Sequence, residues 1–153
     1  MTIFFPLNII GLLYRSETVM EHFQTLLRDH NLKATPQRGA ILQIMEDAGH
    51  ISIESIYEKI KIGFPSLSLA TIYKNIIAMQ ECDIIRELKI PGQKNRYEIK
   101  KEAHHHILCQ KCGNIMDIEA DVESSLKDIS LKYDFDVTEI SLSISGICRS
   151  CKS

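Results

Sequence analysis

Two Cys-x-x-Cys pairs near the ends of the second half of the chain restrict its fold more than any other feature. Cys109 pairs with Cys112, and Cys148 with Cys151. Four thiolates held in two such pairs form a closed tetrahedral Zn²⁺ site. The segment 113–147 between them is longer than in a compact zinc finger, so zinc would hold the end of the last strand against the first. The alternatives are a redox dithiol and cysteines with no special role, but we expect structural zinc in a reducing compartment.

A histidine-rich stretch comes directly before the first cysteine pair. Residues 104–109 have the pattern of a strand, where side chains alternate between faces, so His104 and His106 share one face and Cys109 lies on the other. Asp117 follows on the next predicted strand. Imidazole and carboxylate without thiolate favour Fe²⁺, Mn²⁺ or a labile Zn²⁺. We interpret the two histidines as ligands of a second site; the alternative is a solvated histidine run.

The first half of the chain has the periodicity of short helices. One helix is predicted from Met20, and start signals at Thr35-Pro36, Ser52 and Ser68 predict three more. The positions predicted to face inward are Met20, Phe23, Leu26, Leu27, Ile41, Ile44, Met45, Ala48, Ile53, Ile56, Tyr57, Ile60, Leu69, Ile72, Ile76 and Met79.

A hairpin is predicted directly after the last of these helices. Its strands, residues 84–90 and 95–100, are joined by the turn sequence Pro-Gly-Gln-Lys. The preceding helix has a polar face with Thr71, Lys74 and Asn75. This order is typical of a winged helix-turn-helix, and a small helical domain of other use is the alternative. The formal charge of −2 excludes a globally basic nucleic-acid binder, so DNA contact requires a local patch.

The second half of the chain has the pattern of a small α/β unit. Its predicted strands are residues 104–109, 114–119 and 140–146, and its predicted helix is 121–133. The residues predicted to face inward are Val122, Leu126, Ile129, Tyr133, Ile140, Leu142 and Ile144. This buried face is too small to stand alone, so we expect it to pair with a second copy of itself. The predicted fold class is α+β: a winged-helix domain over 20–100, then a dimerisation domain over 104–153.

Residues 1–19 form an N-terminal extension of unknown role. The stretch 2–14 is apolar, but it lacks a basic start and a small-residue cleavage site, and it is too short to span a bilayer. We expect translation to begin at Met20; the alternative is an arm that packs on the body. We predict no membrane association and a cytoplasmic location.

The sequence resembles the ferric uptake regulator family of bacterial metal-dependent repressors. The resemblance runs from about Met20 to the C-terminus, and its motifs occur in the family's order. They are LKATPQR (32–38), GHISIESIY (49–57), SLATIYKNI (68–76), RYE (96–98), HHHILCQKCG (104–113) and GICRSC (146–151).

The resemblance implies a homodimeric, metal-dependent transcriptional repressor that binds a double-stranded DNA operator, not an enzyme, with no small organic substrate. It supports one structural zinc per chain at the four paired cysteines. It implies a regulatory Fe²⁺ or Mn²⁺ at His50, Glu98, His104, His106 and Asp117. Spacing alone does not distinguish His50 and Glu98 from ordinary surface residues. It makes the polar helix over 68–80 the recognition helix, with Tyr73 and Lys74 at positions that contact bases and backbone; the alternative for Tyr73 is partial burial in the core. The other predicted DNA-contacting residues are Thr71 and Asn75 on the polar face of this helix, and Lys33 and Arg38 as phosphate or minor-groove contacts.

The branch of the family is less clear from the motifs. TPQR and FPSLSLATIYKN resemble the peroxide-responsive repressors, whereas Glu98 stands where those usually have Asp and iron sensors usually have Glu. We therefore predict peroxide response, with an iron-responsive repressor of iron uptake genes as the alternative and a zinc sensor after it. A hydrolytic metalloenzyme and a zinc-containing storage dimer are the alternatives from other classes.

Overall fold

The computed structural model describes residues 17–90, 92–102, 104–122, 129–138, 140 and 142–152. The chain forms two compact units, the first ending at Lys100 and the second beginning at Lys101. Among the described residues, no helix is long and apolar enough to cross a membrane. Of the predicted extension over 1–19, residues 1–16 lie outside the described residues. Residues 17–19 are helical, so the first helix begins three residues before Met20, where it was predicted to start.

Four helices begin the first unit, and their starts confirm the predicted capping signals. Thr35, Ser52 and Ser68 each accept a hydrogen bond from the backbone N–H three residues later, which satisfies one of the free donors of the first turn. The helices are α1 (Glu17–Asp29), α2 (Pro36–Ala48), α3 (Ile53–Ile60) and α4 (Leu69–Glu81).

The core of the first unit is formed by the predicted apolar faces of these helices. Burial of each such side chain stabilises the fold by about 1.5–3 kcal/mol. Ala48 is the exception: it is exposed, because it ends α2 beyond the buried stretch 39–45. The predicted residues that are at most 2% exposed are Phe23, Leu27, Ile41, Met45, Ile56, Ile60, Ile72, Ile76 and Met79.

The predicted hairpin follows α4 and completes the winged-helix order. Its antiparallel strands are β1 (Ile85–Leu88) and β2 (Arg96–Ile99). Ile51 adds a bridge to Tyr97, with N···O distances of 3.1 and 2.8 Å. Because His50 precedes Ile51 and Glu98 follows Tyr97, this bridge brings His50 beside Glu98.

The second unit contains a three-stranded sheet. Its strands are β3 (His105–Cys109), β4 (Ile115–Ile118) and β5 (Ser143–Gly146), in the order β4-β3-β5. The central strand, β3, pairs antiparallel with β4 and parallel with β5, and Cys109 lies opposite Gly146. The end of the last strand therefore lies beside the end of the first, as the cysteine spacing predicted.

Three predictions for the second unit are corrected by the structure. The last strand begins at Ser143, not at residue 140, and the helix covers 129–133 among the described residues but not 121 or 122. The inward orientation is also wrong for a single chain, since Ile129 is 44%, Tyr133 64% and Ile144 46% exposed. The amphipathic pattern marks a face that no described residue of this chain covers. Leu126 lies outside the described residues.

Candidate functional sites

The four paired cysteines of the second unit form one cluster, with their sulfur atoms all within 4.8 Å of one another. Cys112 Sγ lies 3.8 Å from Cys148 Sγ. A tetrahedral site with Zn–S bonds of about 2.3 Å has sulfur–sulfur edges of about 3.8 Å, so the spacing fits zinc.

Backbone turns bring these sulfurs together. Gly113 adopts a φ of +72°, and its N–H donates to Cys109 O at 2.9 Å, which closes the first turn. The second turn is closed by the Cys151 N–H, which donates to Cys148 O at 3.0 Å. Between the turns, the Cys148 N–H donates to Cys109 Sγ at 3.3 Å.

The electrostatics of the cluster favour a bound cation. Backbone N–H groups, led by that of Cys148, lower the pKa of the Cys109 thiol to about 6. Hydrogen bonding to the sulfurs of Cys148 and Cys112 raises the pKa of Cys151 to about 12. One thiolate therefore forms readily, whereas crowding opposes ionisation of the last thiol until a cation balances the charge. Four thiolates fill a tetrahedral shell, so a zinc ion bound here would have no position left for a substrate.

The first unit contributes a histidine–carboxylate pair outside this cluster. His50 Nε2 lies 3.0 Å from Glu98 Oε2. Glu98 is only 1% exposed, and Arg86 Nε donates to its other oxygen, Oε1. A buried carboxylate requires such a cationic partner to offset the loss of hydration. His50 and Glu98 therefore place an imidazole nitrogen and a carboxylate oxygen side by side, and both are donor types that bind metal ions.

The second unit contributes a further set of nitrogen and oxygen donors. His104 Nε2 and His106 Nε2 each lie 3.7 Å from Asp117 Oδ1, and His106 is directly opposite Asp117 across β3 and β4. Both histidines therefore face the same carboxylate, as predicted, although β3 begins at His105 and His104 lies just before it. Lys101 Nζ forms an ion pair with the other oxygen, Asp117 Oδ2. Imidazole with carboxylate and no thiolate suits Fe²⁺ or Mn²⁺.

A cleft of about 430 Å³ opens beside His104 and Asp117 in the second unit. Lys101, Glu102 and Glu119 are among its lining residues. Small polar molecules therefore have access to His104 and Asp117.

The sequence interpretation missed the two basic residues at these carboxylates. Arg86 lies opposite Glu98 in the hairpin register, so the pair could be found once the turn fixed that register. No motif or spacing marked Lys101, because its contact depends on where Asp117 lies in the folded sheet.

Most of the predicted DNA-contacting residues are joined by hydrogen bonds in the first unit. Arg38 Nε donates to Asn75 Oδ1 at 3.1 Å, and Arg38 Nη1 donates to Lys33 O at 2.6 Å. Asn75 Nδ2 in turn donates to Thr71 O at 2.9 Å. These bonds hold Arg38 and the Lys33 backbone against α4.

Two further predicted residues lie on the outer face of α4. Tyr73 is 41% exposed and Lys74 is also exposed, while Ile72 and Ile76 of the same helix are buried. The helix thus packs one face into the core and presents the other to solvent, which is what a helix that enters a DNA groove requires.

Comparison with known proteins decides the family. The family model described as the ferric uptake regulator family matches residues 29–145, which is most of the chain. The chain belongs to the ferric uptake regulator family. The resemblance stated from the motifs is confirmed, and the family is one of regulators.

Several relatives and solved structures are similar to this member of the family. The Staphylococcus epidermidis peroxide-responsive repressor PerR is 34% identical over 128 residues, covering 82% of this chain and 85% of that protein. The Campylobacter jejuni peroxide stress regulator structure is 36% identical with a TM-score of 0.70, covering 83% of this chain and 97% of that one. The Francisella tularensis ferric uptake regulator, solved with iron, is 28% identical with a TM-score of 0.71, covering 80% and 96%.

Proposed function

We propose that this protein is a metal-dependent DNA-binding transcriptional repressor that responds to peroxide through a regulatory Fe²⁺ or Mn²⁺ site. The observation that carries the proposal is the pair of donor sets that lie outside the Cys₄ cluster. One set is His50 with Glu98, and the other is His104, His106 and Asp117. A purely structural zinc protein would have no use for them.

The regulatory ion is proposed to take ligands from both sets. A ligand that binds only one arrangement of the two units shifts the population toward that arrangement. His50 and Glu98 belong to the unit with the winged helix, and the other three ligands belong to the second unit. Metal binding would thus favour the arrangement in which two winged helices match the spacing of an operator.

The relatives support both the metal and the signal. The Francisella tularensis structure contains iron, and the Staphylococcus and Campylobacter proteins are named for peroxide. Glu98 favours an iron-responsive repressor as the second candidate, because iron sensors usually have Glu at that position. The response to peroxide, treated in the Discussion, separates the two.

The Cys₄ cluster is proposed to hold one structural zinc per chain, at Cys109, Cys112, Cys148 and Cys151. Four soft thiolates in tetrahedral spacing are the donor set that zinc prefers. Zinc would join the turn that follows β3 to the turn that follows β5. It would thereby stabilise a unit whose apolar side chains are largely exposed.

A homodimer is proposed from the exposed apolar surface of the second unit. Ile107 lies between Met116 and Ile144 in one row across the sheet, and the latter two are 47% and 46% exposed. Other large apolar side chains of the same unit are also exposed: Ile129, Leu131, Tyr133, Phe135 and Ile147. A second copy of this unit is the proposed cover for such a patch.

DNA binding is proposed to use α4 and the residues bonded to it, namely Lys33, Arg38, Thr71, Tyr73, Lys74 and Asn75. We expect Lys74→Ala and Arg38→Ala each to weaken operator binding and to reduce the slope of log K against log salt by about one unit, if each neutralises one phosphate. The measurement is a salt titration on a DNA fragment selected by the wild-type protein from a random library.

The matched control for these variants is Lys59→Ala, which removes an exposed lysine from α3 of the same unit. It should leave both affinity and salt slope unchanged. If both test variants also bound like the wild type, α4 would not be the helix that contacts DNA, and a storage role for the protein would gain support. A loss confined to particular operator bases would place Lys74 at a base edge.

A further inference from the structure

One oxygen of Glu98 is already engaged by a cation of the protein. Arg86 Nε donates to Oε1, while Oε2 is the oxygen that faces His50 Nε2 at 3.0 Å. The side chain of Glu98 is 2% exposed and that of Arg86 is 23% exposed, so water competes little for this pair. Charge-assisted hydrogen bonds are roughly twice as strong as neutral ones, so this contact holds the orientation of the carboxylate.

Asp117 in the second unit has the same arrangement. Lys101 Nζ pairs with Oδ2, while Oδ1 is the oxygen that faces His104 Nε2 and His106 Nε2 at 3.7 Å. In both carboxylates, therefore, one oxygen faces imidazole nitrogen and the other is bonded to a basic side chain. Neither basic residue belongs to the sequence motifs that marked the metal ligands, so these two bonds are a separate observation.

We propose that Arg86 and Lys101 limit Glu98 and Asp117 to one metal-binding oxygen each, which keeps a coordination position of the regulatory ion open for peroxide. The inference rests on the proposed function. A carboxylate that chelates with both oxygens must share the second oxygen between the metal ion and the basic side chain, and the repulsion between these two positive charges opposes chelation. With the bond to the basic residue kept, three imidazoles and two single oxygens supply five donor atoms, which is one fewer than octahedral coordination.

This role explains how Glu98 can stand where peroxide-responsive relatives usually have Asp. A free glutamate is long enough to turn both oxygens toward an ion and fill the open position. The Arg86 guanidinium prevents that turn and makes the longer side chain act as a ligand with a single oxygen. Residues that hold metal ligands in this way commonly change metal affinity or activity 10- to 100-fold when replaced.

Arg86 should restrain its carboxylate more strongly than Lys101 restrains Asp117. Arg86 is mostly buried, and its removal leaves the buried Glu98 without its cation. Lys101 is 52% exposed, so water can replace part of its bond to Asp117. The effect of removing Arg86 should therefore be the larger one.

The test loads Mn²⁺ into the full-length wild type and into Arg86→Met and Lys101→Met. Water bound to the ion is counted by electron–nuclear double resonance in labelled water. The wild type should show a bound water, Arg86→Met should lose it, and Lys101→Met should show a partial loss. Loaded with Fe²⁺, Arg86→Met should oxidise its histidines roughly 10- to 100-fold more slowly under peroxide than the wild type.

Matched controls remove the same charges from neighbouring positions. Arg96→Met alters the same hairpin, and Lys100→Met removes the adjacent lysine, whose ammonium pairs with Asp83. Both should retain the bound water and the wild-type oxidation rate. Because Lys101 is exposed, its variant should fold even if Arg86→Met does not.

The outcomes separate this inference from the proposed function. If both test variants, or Lys101→Met where it alone folds, keep the wild-type water and oxidation rate, the role of the basic residues is disproved while the repressor stands. If His104→Ala binds Mn²⁺ as tightly as the wild type, the regulatory site itself is misassigned, and the inference falls with it.

Discussion

Replacing Cys112 with serine is expected to abolish the fold of the second unit and the dimer. Cys112 lies on an exposed turn, where a substitution that touched nothing else would change stability by within about 0.5 kcal/mol. If Cys112 is a zinc ligand, the same substitution removes part of an interaction whose free energy is on the order of 10–16 kcal/mol in small zinc domains. Native mass spectrometry, which reports zinc content and oligomeric state together, is the measurement.

The matched control is Cys82→Ser, the same substitution at the cysteine that directly follows α4 and packs on the core of the first unit. It should keep both zinc and dimer. A Cys112→Ser protein that remained a dimer with unchanged zinc content would refute the Cys₄ assignment, whatever the geometry of the cluster.

The second large effect is expected from peroxide. Iron-loaded protein should lose operator binding at low peroxide, and peptides that contain His50 or His104 should gain the mass of one oxygen atom. In that reaction one peroxide oxygen replaces the ring hydrogen as a C–O bond and the other leaves as water, so peroxide gains the two electrons that the ring loses. A damaged ring is a poor ligand, so the regulatory ion is released. Manganese-loaded protein should keep both its operator and its histidines, because Mn²⁺ does not readily promote this oxidation.

Histidines away from the donor sets supply the internal control. His22 and His30 lie on or directly after α1, and their peptides should stay unmodified in the iron-loaded sample. If the iron-loaded protein stays on DNA and His50 and His104 stay intact under peroxide, the protein is an iron-responsive repressor instead. Gel shift and peptide mass spectrometry on the same samples distinguish these results.

The winged helix could be predicted from the sequence because its signals are local. Caps at Thr35, Ser52 and Ser68 depend on a side chain and a backbone N–H three residues apart, and the structure shows all three. The inward faces of the helices follow from a period of 3.6 residues. The structure agrees with this prediction except at Ala48, which lies at the end of its helix and is exposed. Capping signals and helical periodicity predict burial correctly where the apolar face of a helix is covered by the same unit.

The second unit was harder to predict because its amphipathic pattern does not specify what covers the apolar face. Ile144 and Tyr133 were expected to point inward, yet both are substantially exposed in the single chain. A pattern of alternating apolar residues has the same form whether the partner surface lies in the same chain or in a second copy.

The donor sets were only partly visible in the sequence. The alternation of side chains along a strand groups His104 with His106, and the two do face one carboxylate although His104 lies just before β3. His50 and Glu98 are brought together by the bridge between Ile51 and Tyr97, which joins residues far apart in the sequence. In the sequence, only the family resemblance points to these two residues.

Whether operator binding requires a second, weakly held metal is tested by measuring metal content and operator binding on the same protein before and after mild EDTA treatment. Four thiolates hold zinc far more tightly than nitrogen and oxygen ligands hold Fe²⁺ or Mn²⁺. We expect the treated protein to keep one zinc per chain, to remain a folded dimer, to lose operator binding and to regain it when Mn²⁺ is added. Full operator binding by protein that contains zinc alone would show that no regulatory metal is needed.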